Sequence, residues 1–408
     1  MKITIPKNWA IICLINFVVA SLLGLTMRYI LNFPIPFLNF EFLLHSHSHF
    51  VFYAWATMAL STAMVVYLLP EEKRKKTSYG LIFWILYFSS YGMLITFILQ
   101  GYKVPSIVFS SIATFVFYWF AVIFIKDIRK SSNHKLVKYF SYIAVVSFVI
   151  SSLGPYFLAY FSATGRTDSL YINGALYFYL HFQYDGWFPF AAFALFIHWL
   201  NSHKIEFDTA LLFQFFVLLA FSIFPGYALS IIGLTDAYPI VFSAQISVLA
   251  QLIAGVLLII FYFKTYKTIA AHLSSFTKLL WWIALLSFTG KTVMQAFSIE
   301  PEITVFAFNY RPVVIGFLHL IFLCVISFFI LGLFIEKGLY QFAENTMAKI
   351  GACTFVIATI LTELLLFTES FGVFFAIAMP GFNLALFYVT LILAVALILF
   401  LAGQKKLK

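Results

Sequence analysis

The chain has 408 residues, of which 63% are hydrophobic, 21% aromatic and only 10% charged. This composition excludes a soluble globular protein and indicates an integral membrane protein that is surrounded by lipid bilayer. The formal net charge of +10 could suit a nucleic acid, but the basic residues lie in short loops between apolar runs. That placement favours a role in membrane topology and predicts no nucleic-acid partner.

The apolar runs predict the fold. A membrane-crossing helix needs about 20 consecutive apolar residues, and we count twelve such stretches, with no loop long enough for a soluble domain. The sequence therefore predicts an all-α, polytopic membrane helical bundle that forms a single domain over residues 1–408. In chain order, the twelve predicted transmembrane helices cover residues 8–29, 39–69, 79–100, 104–125, 140–163, 171–199, 208–233, 239–265, 279–299, 311–335, 347–367 and 381–403.

The basic residues predict the orientation of these helices. Most of the 25 lysines and arginines lie near the chain ends or in the loops that follow even-numbered spans, as in the run Lys73-Arg74-Lys75-Lys76. By the positive-inside rule these loops and both termini are cytoplasmic. We expect the protein to reside in a bacterial inner membrane.

Three of the nine histidines, His45, His47 and His49, lie at the predicted outer end of the second span. Residues four apart share a helix face, so His45 and His49 lie together, whereas His47 points roughly 200° away. A regular helix cannot bring all three to one ion. A metal site on either face needs a further ligand, such as His181 or Asp185. The alternative is a set of interfacial histidines in contact with water.

The sixth predicted span carries a histidine and a carboxylate on one face. His181 and Asp185 are four residues apart, so their side chains are neighbours. A carboxylate at that depth must be paired or protonated. Asp185 could orient His181 as a metal ligand, or it could form a buried ion pair with Lys291 of the ninth span. The residues leave both alternatives open.

The histidine positions resemble those of subunit I of the haem-copper oxidases, especially the C-type oxidases and nitric oxide reductases. In that family a histidine in the outer part of span 2 binds the low-spin haem. A polar residue follows two positions on, and an aromatic-rich stretch then ends in tryptophan. His47, His49 and the run Phe50-Val51-Phe52-Tyr53-Ala54-Trp55 are similar to this pattern.

The other family motifs are matched only in part. Span 10 of the family carries two haem-ligating histidines two residues apart; here His319 stands in the place of the low-spin ligand, and Phe317 stands in the place of the high-spin ligand. His181 corresponds to the first ligand of the family's non-haem metal. The adjacent histidine pair expected in span 7 is missing, and Pro225-Gly226-Tyr227 stands near its position.

The resemblance therefore implies one bis-histidine haem, held by His47 and His319, without the full high-spin haem and copper ligand set. Haem b is the expected type because the chain has no CxxCH attachment motif. Arg28, Arg311 and Lys291 are basic residues outside the predicted cytoplasmic loops, and they could neutralise the haem propionates. For the two arginines, ordinary anchoring at the membrane interface is the alternative.

Three functions remain open at this point. The first is a haem protein for electron transfer or a diatomic-gas-related role, with quinol or a cytochrome as electron donor. The second is an oxidoreductase of the haem-copper type, an oxidase or nitric oxide reductase with atypical ligands and a second metal such as copper, iron or zinc. The third is a divalent-metal transporter without haem that uses His45, His49 and Asp185. The residues do not indicate partner subunits.

Overall fold

A computed structural model describes residues 5–75 and 77–404, and every regular element within them is helical. The α-helices, in chain order, are α1 (Ile5–Asn32), α2 (Phe40–Phe50), α3 (Met58–Leu68), α4 (Glu71–Arg74), α5 (Thr77–Gln100), α6 (Val104–Arg129), α7 (Lys135–Ser151), α8 (Leu153–Ala163), α9 (Ser169–His181), α10 (Phe188–Ser202), α11 (Thr209–Ile231), α12 (Tyr238–Ala271), α13 (Ser275–Phe297), α14 (Pro301–Asn309), α15 (Arg311–His319), α16 (Phe328–Glu336), α17 (Thr346–Phe374) and α18 (Phe382–Ala402). Three π-helical segments join neighbouring α-helices: π1 (Val51–Thr57), π2 (Phe182–Trp187) and π3 (Leu320–Ser327). The predicted all-α class is confirmed.

The chain is a polytopic helical membrane protein. Within residues 5–75 and 77–404, ten stretches of helix are long and apolar enough to cross a membrane. The two other predicted spans, 171–199 and 279–299, are also helical but do not belong to these ten. Both are long enough to cross, so it is their polar side chains, including Asp185 and Lys291, that set them apart from the more apolar helices.

By its internal contacts the chain divides into two compact units: unit 1 consists of Met1–Ile123 with Ile330–Lys408, and unit 2 of Phe124–Phe329. The sequence led us to expect a single membrane domain over residues 1–408. The predicted cytoplasmic orientation rests partly on a set of lysines that lie outside the described residues: Lys2, Lys76, Lys405, Lys406 and Lys408.

In unit 1, α1 packs against α2, π1, α3 and α18, and α17 packs along α18. Asn39 begins α2, because its side chain accepts a hydrogen bond from the backbone N–H of Phe42 at 3.1 Å. Trp55 of π1 stacks on Phe17 of α1 with ring centroids 4.1 Å apart. The small residue Gly351 lets the backbones of α17 and α18 approach, since any Cβ there would overlap α18.

In unit 2, α11 and α12 pack side by side, α7 packs against π2 and α10, and α13 packs against π3. Gly186 makes the contact between π2 and α7, because a Cβ at this position would overlap Ser147. Proline within a helix removes a backbone hydrogen bond and often interrupts it, and unit 2 contains Gly154-Pro155 and Pro225. The helix is interrupted at Ser152, just before the first of them, whereas Pro225 lies inside α11 without ending it.

One prediction concerns the start of α17. The Asn345 side chain accepts hydrogen bonds from the backbone N–H groups of Met347 and Ala348 at 3.0 and 3.1 Å. Asn345→Ala should lower the free energy of unfolding by about 1 kcal/mol, because two N–H groups lose their partner. Asn345→Asp, which keeps the accepting oxygen, should stay close to wild type. Thermal unfolding in detergent measures both, and equal losses would contradict the capping role.

Candidate functional site

Histidines lie next to all three π segments that the described residues contain. His181 and His319 immediately precede π2 and π3, and His49 lies two residues before π1. π-helical turns make up well under 1% of residues in soluble proteins and occur frequently at functional sites. The π segments therefore indicate two candidate sites: the histidines of α2 and the surroundings of His181.

His47 faces α1. Its Nδ1 atom lies 3.1 Å from the carbonyl oxygen of Ala20. A carbonyl oxygen can only accept, so Nδ1 carries the proton and the lone pair of the neutral ring is on Nε2. A Cβ added to Gly24 would lie 3.3 Å from His47 Cε1, so the glycine makes room for the imidazole. His47 therefore has the orientation of a metal-ligating histidine, whose second nitrogen is fixed by a hydrogen bond.

His45 and His49 lie on the other side of α2, against Phe97 and Tyr102. His49 Nε2 is 2.7 Å from the Tyr102 hydroxyl, and the His49 ring stacks on Phe97 with centroids 4.6 Å apart. The His45 and Tyr102 ring centroids are also 4.6 Å apart. His45 Nε2 lies 3.6 Å from Glu41 Oε1. The prediction that His45 and His49 share a face while His47 points elsewhere is confirmed.

The other predicted haem-site residues lie at helix ends. Arg28 is half-buried near the end of α1, the helix that His47 faces. Arg311 is the exposed first residue of α15, and His319 is the half-buried last residue of the same helix. The third predicted cation, Lys291, lies in a different environment, buried within unit 2.

Three side chains of unit 2 form an ion cluster, which we define as the buried His181 and Lys291 and the largely buried Asp185. One oxygen of Asp185, Oδ1, accepts a hydrogen bond from the Lys291 ammonium group. The other, Oδ2, lies 3.0 Å from His181 Nδ1. His181 and Lys291 are each only 3% exposed. The ion pair that the sequence offered as one alternative is therefore present, and the same carboxylate also contacts His181.

Helix α11 closes the ion cluster beside His181. His181 Nε2 donates a hydrogen bond to the carbonyl oxygen of Ile223 at 2.6 Å. A Cβ added to Gly226 would lie 3.1 Å from His181 Cε1, and the ring of Tyr227 lies 6.2 Å from the imidazole by centroids. The part of α11 around Pro225-Gly226-Tyr227 thus presents the Ile223 carbonyl group and Gly226 to His181.

These residues do not fit a bound divalent metal. No group of three or more His, Cys, Asp and Glu side chains lies close enough to hold an ion anywhere in residues 5–75 and 77–404. Zinc requires three or four ligands, whereas the ion cluster offers His181 and Asp185, and Asp185 already binds an ammonium group. No chemical step through a second metal follows from this arrangement.

A buried carboxyl group in α17 is a further chemically unusual feature. Glu363 is 6% exposed, and neither of its oxygens has a hydrogen-bond partner among the described residues. One turn earlier, the buried Thr359 hydroxyl also has no partner in that part of the chain. A charged carboxylate without a partner is costly in such a place.

The class that the fold defines is a polytopic helical membrane protein. In comparisons with known proteins, no family model and no curated protein sequence matches this chain. The resemblance to the haem-copper oxidases therefore rests on the residues themselves, chiefly His47 and His319.

A prediction follows from the close contact between α11 and the ion cluster. A Cβ at Gly226 would lie 2.8 Å from Ser247 Oγ as well as 3.1 Å from His181. Gly226→Ala should therefore lower the free energy of unfolding by about 1–3 kcal/mol, the usual cost of overpacking a core. Gly255→Ala in α12 is the matched control, because nothing lies within 4 Å of its added Cβ. Similar thermal unfolding of both variants in detergent would contradict the tight contact.

Proposed function

We propose that the chain is a haem-binding electron-transfer protein of the membrane, in which His47 and His319 are the axial ligands of one low-spin b-type haem. The observation that carries the proposal is the geometry of His47. Its Nδ1 is fixed by the Ala20 carbonyl group, which leaves the Nε2 lone pair for iron. The resemblance of the histidine positions to those of haem-copper oxidase subunit I indicates His319 as the second ligand.

Electron transfer suits this ligand set better than gas chemistry. A haem iron held by both His47 and His319 would have no ligand position left for oxygen or nitric oxide, so it would supply electron-transfer chemistry. Quinol or a cytochrome is the class of electron donor that we propose. Phe317 cannot ligate a second haem iron, and His181 and Asp185 alone do not make a metal site.

Cations near the haem would neutralise its propionate groups. Arg28 is the candidate on the side of His47, since it lies in α1, the helix that this histidine faces. Arg311 is the corresponding candidate for His319, because it begins the helix that His319 ends. We leave Lys291 out of the propionate set, because its ammonium group is bound by Asp185.

The optical spectrum and metal content of one purified sample test the proposal. We expect a reduced-minus-oxidised spectrum of the b type, equimolar iron, and a pyridine haemochrome typical of haem b. Absence of porphyrin, together with equimolar zinc or copper, would favour a metal transporter instead. Consumption of oxygen or nitric oxide by a sample with a second metal would favour an oxidase or reductase.

We further propose that the chain crosses a bacterial inner membrane twelve times with both termini in the cytoplasm. The basic loops support this orientation, and the less apolar helices around Asp185 and Lys291 supply the two additional spans. Single cysteines introduced at Ser274 and Thr235, in a variant without the native cysteines, test it in intact cells. A membrane-impermeant thiol reagent should label only the Thr235 position. Labelling of both positions, or of Ser274 alone, would overturn the orientation.

A further inference from the structure

We propose that the ammonium group of Lys291 takes the place of a divalent metal ion at the His181–Asp185 pair, so that the ion cluster of unit 2 is kept free of metal by the chain itself. This proposal concerns a different place from the haem and does not depend on it. Its consequence for function is that the chain lacks a second metal centre because a cation of its own is already bound there.

Lys291 is a buried cation beside Asp185. Its Nζ atom donates to Asp185 Oδ1 and lies 5.8 Å from the centroid of the Phe288 ring. A cation within about 6 Å of an aromatic face gains electrostatic stabilisation. With only 3% of the residue exposed, Lys291 is a fixed internal cation, held by a carboxylate and an aromatic ring.

The hydrogen bonding of His181 limits where a metal ion could bind. Its Nε2 donates to the Ile223 carbonyl oxygen at 2.6 Å, so this nitrogen offers no lone pair to a metal. Its Nδ1 lies 3.0 Å from Asp185 Oδ2 without hydrogen-bond geometry, so the lone pair of the neutral ring is on Nδ1. A divalent ion could therefore bind only on the Nδ1 side, where it would share Asp185 with the ammonium group and meet its repulsion.

The charge balance of the ion cluster also disfavours a divalent ion. The Asp185 carboxylate and the Lys291 ammonium group neutralise each other in an interior where an unpaired charge is costly. A bound divalent ion would add an excess of positive charge. Without the lysine charge, the Asp185 carboxylate oxygen and the His181 imidazole nitrogen would be two suitable ligands for a divalent transition metal.

Polar groups near His181 could complete such a site once the lysine charge is removed. The Ser247 hydroxyl donates to the Ser222 carbonyl at 2.9 Å, and Gln251 Nε2 lies 3.1 Å from the same hydroxyl. A Cβ at Gly226 would lie 3.1 Å from His181 Cε1, 2.8 Å from Ser247 Oγ and 3.6 Å from Gln251 Nε2, so these groups share the space around Gly226. Their oxygens are candidates for the third ligand that the native cluster lacks.

Cobalt(II) binding to the full-length, detergent-solubilised protein tests the proposal. Lys291→Met, whose unbranched side chain is one atom shorter and uncharged, should gain equimolar cobalt with a visible ligand-field spectrum. Its affinity should exceed that of the wild type by roughly tenfold or more, which corresponds to ~1.4 kcal/mol. Lys291→Arg keeps a cation and should remain free of cobalt. The double variant Lys291→Met with His181→Ala should lose the gained site.

Two results would overturn the proposal. One is an equimolar zinc, copper or non-haem iron ion in the purified wild-type protein that disappears in His181→Ala. The other is a folded Lys291→Met variant, eluting like wild type in detergent, that binds no cobalt. If Lys291→Met fails to fold, the metal contents of the wild type, His181→Ala and Lys291→Arg test the proposal instead. Metal bound through His181 in the wild type would contradict the proposal, and its absence would support it. A missing haem spectrum would leave these outcomes unchanged.

Discussion

Replacement of His47 with alanine is expected to abolish the b-type haem spectrum of the purified protein. The iron would lose the only one of the α2 histidines that faces α1, where Nδ1 is held by the Ala20 carbonyl group at 3.1 Å. His319→Ala should have the same effect because the iron would lose its second axial ligand. The reduced-minus-oxidised spectrum and the haem-to-protein ratio measure both losses.

His45→Ala and His49→Ala are the matched controls for this experiment. Both lie in the same helix as His47, but they contact Phe97 and Tyr102 on its other side. They should keep the haem content of the wild type. A spectrum that survives His47→Ala, or one that disappears equally in His49→Ala, would contradict the assignment of His47. Size-exclusion chromatography in detergent distinguishes loss of haem from loss of fold.

Asp185→Asn is expected to be the most destabilising single change in the ion cluster. It leaves the Lys291 ammonium group, on a residue 3% exposed, without its carboxylate. Breaking a buried ion pair by removing one partner typically costs about 3–5 kcal/mol, because the remaining charge is buried and uncompensated. The free energy of unfolding in mixed detergent, measured for wild type and variant, gives the loss.

The double variant Asp185→Asn with Lys291→Met makes this prediction specific. Removing both charges should restore much of the stability lost in the single variant, since a buried pair is often replaceable by uncharged groups at little cost. The double-mutant cycle then yields a favourable coupling between Asp185 and Lys291. Losses that simply add would show that the two side chains do not depend on each other.

The membrane helices were predictable because their signal is strong. Long apolar runs bounded by charged loops leave few alternatives in a bilayer, where all backbone groups must be paired. The runs predicted at 104–125 and 311–335, for example, correspond to α6 (Val104–Arg129) and α15–π3–α16, which cover the second range with one further residue. The opposed faces of His45 and His47 followed from the period of the helix alone.

Much of the candidate site could not be predicted in the same way. The sequence named Lys291 as a partner for Asp185, because both are charges at similar depth. It could not choose between this pair and the contact with His181, since one carboxylate has two oxygens and can make both contacts. The acceptor for His181 Nε2 is a backbone carbonyl, that of Ile223, and backbone carbonyls have no signature in the side-chain pattern.

The π segments were also not predicted. π1 and π3 are mostly apolar and aromatic like the α-helices around them, and π2 adds only Gln183 and Asp185, so no change of period marks these short stretches. In π3 the Ser327 hydroxyl donates to the carbonyl of Phe322, five residues earlier, at 2.7 Å. A hydroxyl at this spacing is compatible with the wider turn, but it is too common in membrane helices to identify one.

The three π segments have a consequence for the way this sequence changes during evolution. Each wider turn has the effect of an added residue, which rotates the following part of the helix by roughly 100° relative to a continuous α-helix. A relative in which one of these turns is a regular α-turn would therefore align only with a one-residue gap inside the helix. We expect such gaps, ordinarily confined to loops, within 51–57, 182–187 and 320–327, just after the histidines.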